Sequence, residues 1–102
     1  MTRQMIEITF GNAMTQARQL DECADTMENI ANSNLAQIRE SICGNWEGTA
    51  AQQYVQKVDL TGDNILKTAR KLRNIASTLR RVANIFRESE LRVLEIAAQR
   101  TY

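Results

Sequence analysis

Histidine and proline are both absent from this sequence of 102 residues. Without histidine the chain lacks the commonest general acid–base group and a frequent metal ligand, so neither acid–base catalysis nor a zinc site is expected. Without proline, nothing in the composition interrupts long helices. The chain is poor in turn and strand formers, because it contains only four glycines, one tryptophan, two tyrosines and two phenylalanines. We therefore predict an all-α protein with no catalytic residues, no cofactor and no bound metal.

Long apolar runs are missing too. No segment reaches the roughly 20 apolar residues of a membrane-spanning helix, and the N-terminus lacks the apolar run and cleavage site of a cleavable secretory signal. The two cysteines, Cys23 and Cys43, lie about 30 Å apart along one continuous helix, whereas a disulfide needs α-carbons within roughly 7 Å. We expect both to be buried or half-buried apolar side chains, with a redox or interchain role as the alternative.

Charge is distributed unevenly, although the net charge is only +1. Residues 1–46 carry three positive and six negative side chains, whereas residues 47–102 carry ten and six. Halves of opposite sign favour packing against each other, within one chain or between two. The alternative is a solvated charged face on each half.

Two long segments have helical periodicity. The first spans about 12–42, with Thr9 or Asn12 as its expected N-cap and Gly44 as its expected left-handed C-terminal residue. The second spans about 48–97. In both, apolar residues recur at intervals of three and four, which predicts a seam with a partner helix. The predicted hairpin or dimer seam contains Leu20, Met27, Ile38, Val58, Ile65, Leu72, Ile75, Leu79 and Val82.

Two local features compete with this pattern. Ile6, Ile8 and Phe10 alternate, which predicts a short extended arm or a disordered segment before the first helix. Residues 59–64 have turn propensity around Gly62, yet the heptad phase continues through them, so we predict one long second helix, bent at most at Gly62, instead of two helices. Gly62 also belongs to rows of small residues that let two helix backbones approach closely. These rows are Val55, Gly62, Ala69, Ala76 and Ala83 in the second helix, and Ala17, Ala24 and Ala31 in the first.

The connection between the two segments, residues 43–48, is short enough to force an antiparallel arrangement. It contains the only tryptophan, Trp46, two residues before Gly48. An indole at this point seals the end of the hairpin, where the two helices cannot cover their own seam. The predicted architecture is an antiparallel helix-turn-helix hairpin, a single domain over residues 1–102, that pairs into a four-helix bundle dimer.

A chain of about 100 residues with two heptad helices and Trp-X-Gly at the bend resembles the Trp-X-Gly family, the early-secreted-antigen-like small substrates of type VII secretion. The resemblance covers essentially the whole chain, and residues 46–54 resemble the usual start of the family's second helix. It implies a non-enzymatic protein that is cytoplasmic before export and then secreted by a Gram-positive-type cell, as a virulence factor or interbacterial effector. Trp46 and Gly48 would form the bend motif of its secretion signal.

The family's second signal is an aromatic residue followed four positions later by an acid, commonly tyrosine and then Asp or Glu. Phe86 and Glu90 resemble it, with phenylalanine in place of tyrosine, and an i, i+4 pair lies on one helix face. The alternative is that Phe86 continues the apolar stripe and Glu90 is a solvated charge. The resemblance also implies the partners: a homodimer or heterodimer with a similar small helical protein, and the type VII secretion ATPase, with membrane contact only through the secretion machine.

Two other functions fit parts of the sequence. A basic stripe on the second helix is the pattern of a phosphate-binding surface, although the near-zero net charge argues against nucleic acid as a partner. The hairpin would equally serve as a dedicated secretion partner or chaperone of a larger effector. The stripe contains Lys67, Arg70, Lys71, Arg73, Arg80 and Arg81.

Overall fold

Helices account for nearly all of the computed structural model, which describes residues 1–100. Their order is α1 (Arg3–Asn29), a π-helical turn (Ile30–Asn34), α2 (Leu35–Asn45) and α3 (Thr49–Gln99). No strand occurs in the described part of the chain. The all-α helix-turn-helix hairpin predicted from the sequence is confirmed, with α1 and α2 before the bend and α3 after it.

The first helix begins at Arg3, well before the predicted start near Asn12. Its N-cap is Thr2, whose side-chain Oγ1 accepts a hydrogen bond from the Met5 N–H at 3.2 Å. A threonine hydroxyl in this position satisfies one of the backbone donors that the first turn of a helix leaves free. The prediction that Thr9 or Asn12 caps the helix is therefore wrong.

The predicted extended or disordered arm is wrong for the same reason, since its residues belong to α1. Ile6 is fully buried, Phe10 is half-buried and Ile8 is exposed. A spacing of four between Ile6 and Phe10 places both on one side of a helix, whereas Ile8 points elsewhere. The apparent alternation of these residues was the start of a helical stripe.

A π turn interrupts the predicted continuous first helix. The Leu35 N–H donates to the Ile30 carbonyl, five residues earlier, so one extra residue is accommodated. A regular helix would continue the row of Ala24 and Ala31 to Ile38. Instead, a Leu35 methyl lies 3.6 Å from the position that a Cβ of Gly62 would occupy, and Ile38 is 48% exposed. The turn therefore decides which side chain of α2 faces α3.

The third helix runs without a break from Thr49 to Gln99, passing through the segment that has turn propensity. Gly62 is buried in its middle, and the neighbouring Leu35 packs over it. An interior glycine costs about 1 kcal/mol of helix stability, but packing along a long apolar stripe outweighs a local preference of that size. The prediction of one long second helix is confirmed.

Two compact units make up the described chain. The terminal unit contains residues 1–21 and the described part of 74–102, and the bend unit is Glu22–Arg73. Small residues predominate at the buried positions of both, as the sequence predicted. They are Ala17, Ala76 and Ala83, beside Ile6, in the terminal unit, and Ala24, Ala51, Gly62 and Ala69 in the bend unit. A single domain over residues 1–102 stays a prediction.

Ion pairs accompany the small residues in each unit. In the terminal unit, Arg80 pairs with Asp21 at 2.5 Å and Arg87 with Glu7 at 2.8 Å. In the bend unit, Arg73 binds Glu28 at 2.9 Å and Asp25 at 2.5 Å, and Arg39 binds Asp59 at 3.0 Å. Hydrogen bonds to Glu28 and then Asp25 raise the pKa of Arg73 above its ordinary value. Most of these pairs join an acid of α1 to an arginine of α3, in line with the opposite charge of the two halves.

The flanks of the small-residue row on α3 differ in chemistry. Three positions after Ala69, Ala76 and Ala83 stand Leu72, Leu79 and Phe86, and four positions after them stand Arg73, Arg80 and Arg87. Residues three and four positions on lie on opposite sides of a helical row. One flank therefore consists of paired arginines, and the other of apolar side chains.

Candidate functional site

The bend reverses the chain between α2 and α3. α2 ends at Asn45, whose side-chain Nδ2 donates to the Ser41 carbonyl at 2.8 Å. Trp46 then has an extended backbone (φ −122°, ψ 144°), and its N–H donates to the Ile42 carbonyl at 2.9 Å. Gly48 follows with φ +96°. The left-handed residue is thus Gly48, not Gly44 as predicted, because Gly44 lies inside α2.

Trp46 lies at the reversal, as expected, but the protein does not bury it. The indole is 54% exposed and packs edge to face on Tyr54, with ring centroids 5.6 Å apart and planes at 87°. The Lys57 ammonium lies 5.9 Å from the Tyr54 ring centre. A depression beside the indole is lined in part by Ile42 and Val55. The geometry anchors Trp46 to the start of α3 while leaving half of its surface available to a second molecule.

Replacing Gly48 by alanine is expected to destabilise the protein by about 1–2 kcal/mol, because an L-residue with a left-handed backbone is strained. No atom lies within 4 Å of the added Cβ, so the effect is conformational and not steric. Gly44→Ala is the matched control: its Cβ also meets nothing within 4 Å, and inside a helix it should stabilise by up to about 1 kcal/mol. Urea denaturation of both variants measures the difference. Equal effects would contradict the assignment of the bend.

Phe86 and Glu90 lie in the terminal unit, one helical turn apart on α3, and both are half-buried. Because the two residues are four positions apart, the ring and the carboxylate lie next to each other on one helix face. Phe86 is not isolated, because it borders an apolar depression. The residues that line this depression are Thr9, Phe10, Ala13, Leu79, Val82, Ala83 and Phe86.

Phe10 lines the same apolar depression as Phe86, although its sequence pattern predicted an extended or disordered arm. The Arg87 guanidinium lies 5.5 Å from the Phe10 ring centre, and its Nε donates to Glu7 at 2.8 Å. Arg87 therefore holds a cation–π contact and an ion pair at once. The spacing from Phe10 to Ala13 and Ala17 would have revealed the helical position of Phe10, had the first helix been extended to the N-terminus.

The nine predicted seam residues are placed differently from the small-residue core. None of the nine is fully buried. Ile38, Ile75 and Val82 are 48%, 53% and 51% exposed. The others are half-buried: Leu20, Met27, Val58, Ile65, Leu72 and Leu79. The contact of α1 and α2 with α3 uses mainly the small residues, so these larger apolar side chains are left with surface for another molecule.

The basic stripe loses two of its six members to ion pairs. Arg73 binds Asp25 and Glu28, and Arg80 binds Asp21. Arginines with carboxylate partners have less charge available for phosphates. Lys67, Arg70, Lys71 and Arg81 are exposed. The nucleic-acid alternative is weakened to the extent that two of the six cations are engaged within the hairpin.

Cys23 and Cys43 are both exposed free thiols, so the prediction that they are buried or half-buried is wrong. The apolar character of the cysteine side chain favoured burial, but each cysteine lies next to a residue of the inward-facing stripe, not in it: Ala24 is buried and Ile42 is half-buried. Within residues 1–100, no three histidine, cysteine, aspartate or glutamate side chains cluster as a metal site would require. Nor does any helix of the described residues have the length and apolar character needed to span a membrane.

The family of this chain is shown by its similarity to a family of known proteins. The model of the family described as WXG100, proteins of 100 residues with WXG, matches residues 5–90. The chain belongs to the WXG100 family. The matched range includes the bend with Trp46 and Gly48, and it ends at Glu90. No curated protein and no solved structure matches the chain.

Membership confirms the resemblance drawn from the sequence. WXG100 proteins are small, non-enzymatic substrates of type VII secretion, and this chain is a small protein of that secretion class. Members typically pair with small helical partners. The roles of the bend motif, of the Phe86–Glu90 pair and of the exposed apolar side chains in these two properties stay predictions.

Proposed function

We propose that this WXG100 protein is exported from the cytoplasm by a type VII secretion machine as a folded, non-catalytic pair of hairpins. Its bend motif, Trp46 and Gly48, and its C-terminal pair, Phe86 and Glu90, are the parts that the export apparatus recognises. The observation that carries the proposal is the half-exposed indole at the chain reversal in a chain of the WXG100 family.

The exposure of Trp46 supports a recognition role over a purely structural one. A tryptophan that served only to seal a hairpin would be expected to lose most of its surface, since apolar burial is what stabilises it. Instead, the indole is held by one edge-to-face contact with Tyr54 and keeps 54% of its surface exposed. Large aromatic side chains that are rigidly held and exposed are frequent anchors of protein–protein interfaces.

Pairing of hairpins is supported by the exposed apolar side chains. In the terminal unit, Ile75 and Val82 are each about half exposed, and the half-buried Leu79 lines the same depression. Contiguous exposed apolar surface on a soluble protein marks an interaction site. A second helical pair is the simplest cover for a surface with heptad spacing, and the type VII secretion ATPase is the proposed receptor of the assembled pair.

The decisive experiment follows export of Trp46→Ala into the culture medium. Because the indole is half exposed, we expect the variant to stay helical and to accumulate in cells. Its secretion should fall by about tenfold or more, the effect of removing one large aromatic anchor. Immunoblots of medium and cytoplasm, with circular dichroism of the purified variant, measure both quantities. Normal secretion of the alanine variant would refute the role of the bend.

The C-terminal pair has a matched control within the same helix. Glu90→Gln removes the half-buried carboxylate, and Glu88→Gln makes the same change at an exposed position that faces away from Phe86 because it is only two residues on. We expect secretion to fall for Glu90→Gln and to stay unchanged for Glu88→Gln. Equal secretion of the two variants would show that Glu90 is only a solvated charge.

A further inference from the structure

Trp46 and Tyr54 form an aromatic pair across the bend. Their ring centroids lie 5.6 Å apart, with the ring planes at 87°, and both side chains are about half exposed. Between them the chain leaves α2 and turns at Gly48, which has φ +96°. Edge-to-face pairs of aromatic rings have a preferred geometry and contribute more stability than their buried area alone predicts. The pair therefore joins a side chain of the connection to a side chain of α3.

The chain around Trp46 does little to fix the indole. Trp46 lies outside both helices, since α2 ends at Asn45 and α3 begins at Thr49. Its N–H donates to the Ile42 carbonyl at 2.9 Å, which fixes the backbone but not the side chain. Residues 43–50 are all exposed, so the neighbours of Trp46 along the chain do not enclose its ring. A side chain in such a place exchanges among rotamers unless a contact selects one of them.

Tyr54, by contrast, is supported by a packed helix. It belongs to α3 and follows Ala51, which is only 6% exposed, by three residues. The Lys57 ammonium, one helical turn further on, lies 5.9 Å from the centre of the Tyr54 ring, within the range of a cation–π interaction. The Tyr54 ring is therefore held from its own helix as well as by the indole. Of the two aromatic side chains, Tyr54 is the one that is able to fix the other.

We propose that Tyr54 is a positioning residue of the bend motif, whose ring holds the Trp46 indole in the orientation that the export apparatus recognises. The proposal rests on the proposed function and adds a residue to it. An anchor side chain that is already ordered binds more tightly than one that must become ordered on binding. If the indole rotates freely, the apparent affinity of the receptor falls with the fraction of molecules in the competent orientation. The Tyr54 hydroxyl has no part in this role, because the contact is between the two rings.

Two substitutions of Tyr54 and one double variant test this role through secretion. Tyr54→Phe keeps the ring and should be secreted normally, whereas Tyr54→Ala should reduce secretion by roughly two- to tenfold, the fold-change that corresponds to one aromatic pair. In a Trp46→Ala background, Tyr54→Ala should cause no further loss, because a residue that acts only through the indole has nothing left to position. Leu60→Ala is the control: Leu60 is 61% exposed on the same helix, so its secretion should not change. Immunoblots of medium and cytoplasm measure each variant.

The mobility of the indole provides a measurement that is independent of secretion. Trp46 is the only tryptophan, so time-resolved fluorescence anisotropy of the purified protein reports on its side chain alone. Tyr54→Ala should increase the local motion of the indole, and Tyr54→Phe should leave it unchanged. Because Tyr54 is half exposed, both variants should keep their helical circular-dichroism spectrum. Tyr54→Leu, which keeps an apolar side chain without a ring, replaces the alanine variant if the start of α3 unfolds, with the same expected results.

The possible outcomes separate this inference from the proposed function. If Trp46→Ala is poorly secreted but Tyr54→Ala is secreted normally, the positioning role is overturned and the proposed function stands. A further loss of secretion in the double variant would also overturn the positioning role, because Tyr54 would then contact the receptor directly. Equal losses for Tyr54→Phe and Tyr54→Ala would overturn it in favour of the hydroxyl. If Trp46→Ala is secreted normally, the proposed function fails, whereas a more mobile indole in Tyr54→Ala would still show that the Tyr54 ring holds it.

Discussion

The Ala76→Leu variant is expected to lose about 1–3 kcal/mol of stability, because a larger side chain in a close-packed position forces its neighbours apart. Ala76 is 0% exposed and belongs to the row of small residues that α3 contributes to the terminal unit. The three added carbon atoms have no room there. For a domain of this size, such a loss lowers the melting temperature by roughly 5–20 °C, which thermal denaturation followed by circular dichroism measures.

Ser77→Leu is the control for this substitution. It introduces the same side chain one residue further along α3, at an exposed position, where surface substitutions usually change stability by less than about 0.5 kcal/mol. If Ala76→Leu melted at the same temperature as Ser77→Leu, the close contact of small residues would not be what holds the terminal unit together.

The Leu72→Asp variant is expected to disrupt both the bend unit and any pairing that covers it. Leu72 is half-buried beside the small-residue row. Its replacement removes apolar burial and places a carboxylate where water is partly excluded, at a combined cost of about 2–4 kcal/mol. Melting curves at several protein concentrations measure both effects, since the stability contributed by pairing depends on concentration.

Leu60→Asp offers a control on the same helix and in the same unit. Leu60 is 61% exposed, so its replacement should leave melting nearly unchanged and should not alter its dependence on concentration. An unchanged melt of Leu72→Asp would show that Leu72 does not belong to a seam. If the Leu72→Asp protein stayed folded but its melting temperature no longer depended on protein concentration, Leu72 would contribute to the pairing surface alone.

The arginines of α3 show how one residue type serves two purposes. From composition alone, six cations on one helix suggested a phosphate-binding stripe. The ion pairs of Arg73 and Arg80 with acids of α1 give these two side chains a role within the hairpin. Exposed ion pairs contribute little stability each, but pairs with complementary spacing favour one register of two antiparallel helices over its alternatives.

Several features were predictable because they depend on patterns within the chain. The spacing of three and four specifies helices, and the short connection around Trp46 specifies their reversal. The position of Gly62 in a row of small residues outweighed its turn propensity, and the structure has a continuous α3 there. Heptad phase is a property that extends over many residues, so one unfavourable residue does not erase it.

The wrong predictions concern features for which the local sequence favours two structures about equally. The start of α1 depends on a single hydrogen bond from Met5 to Thr2, and a threonine near the N-terminus has many possible conformations. The exposure of Cys23 and Cys43 depends on a rotation of a fraction of a turn about the helix axis. Neither is decided by the residue types.

The sequence by itself determined that this WXG100 protein has two apolar-striped helices joined at Trp46, because periodicity and a short connection act within one stretch of chain. Only the tertiary structure decided which stripe each helix turns inward. Packing of Leu35 over Gly62 accompanies a π turn that leaves Ile38 exposed, and the close approach of small residues leaves the larger apolar side chains outside. Such choices depend on how well two helix surfaces fit together, and the sequence of one helix does not determine that fit.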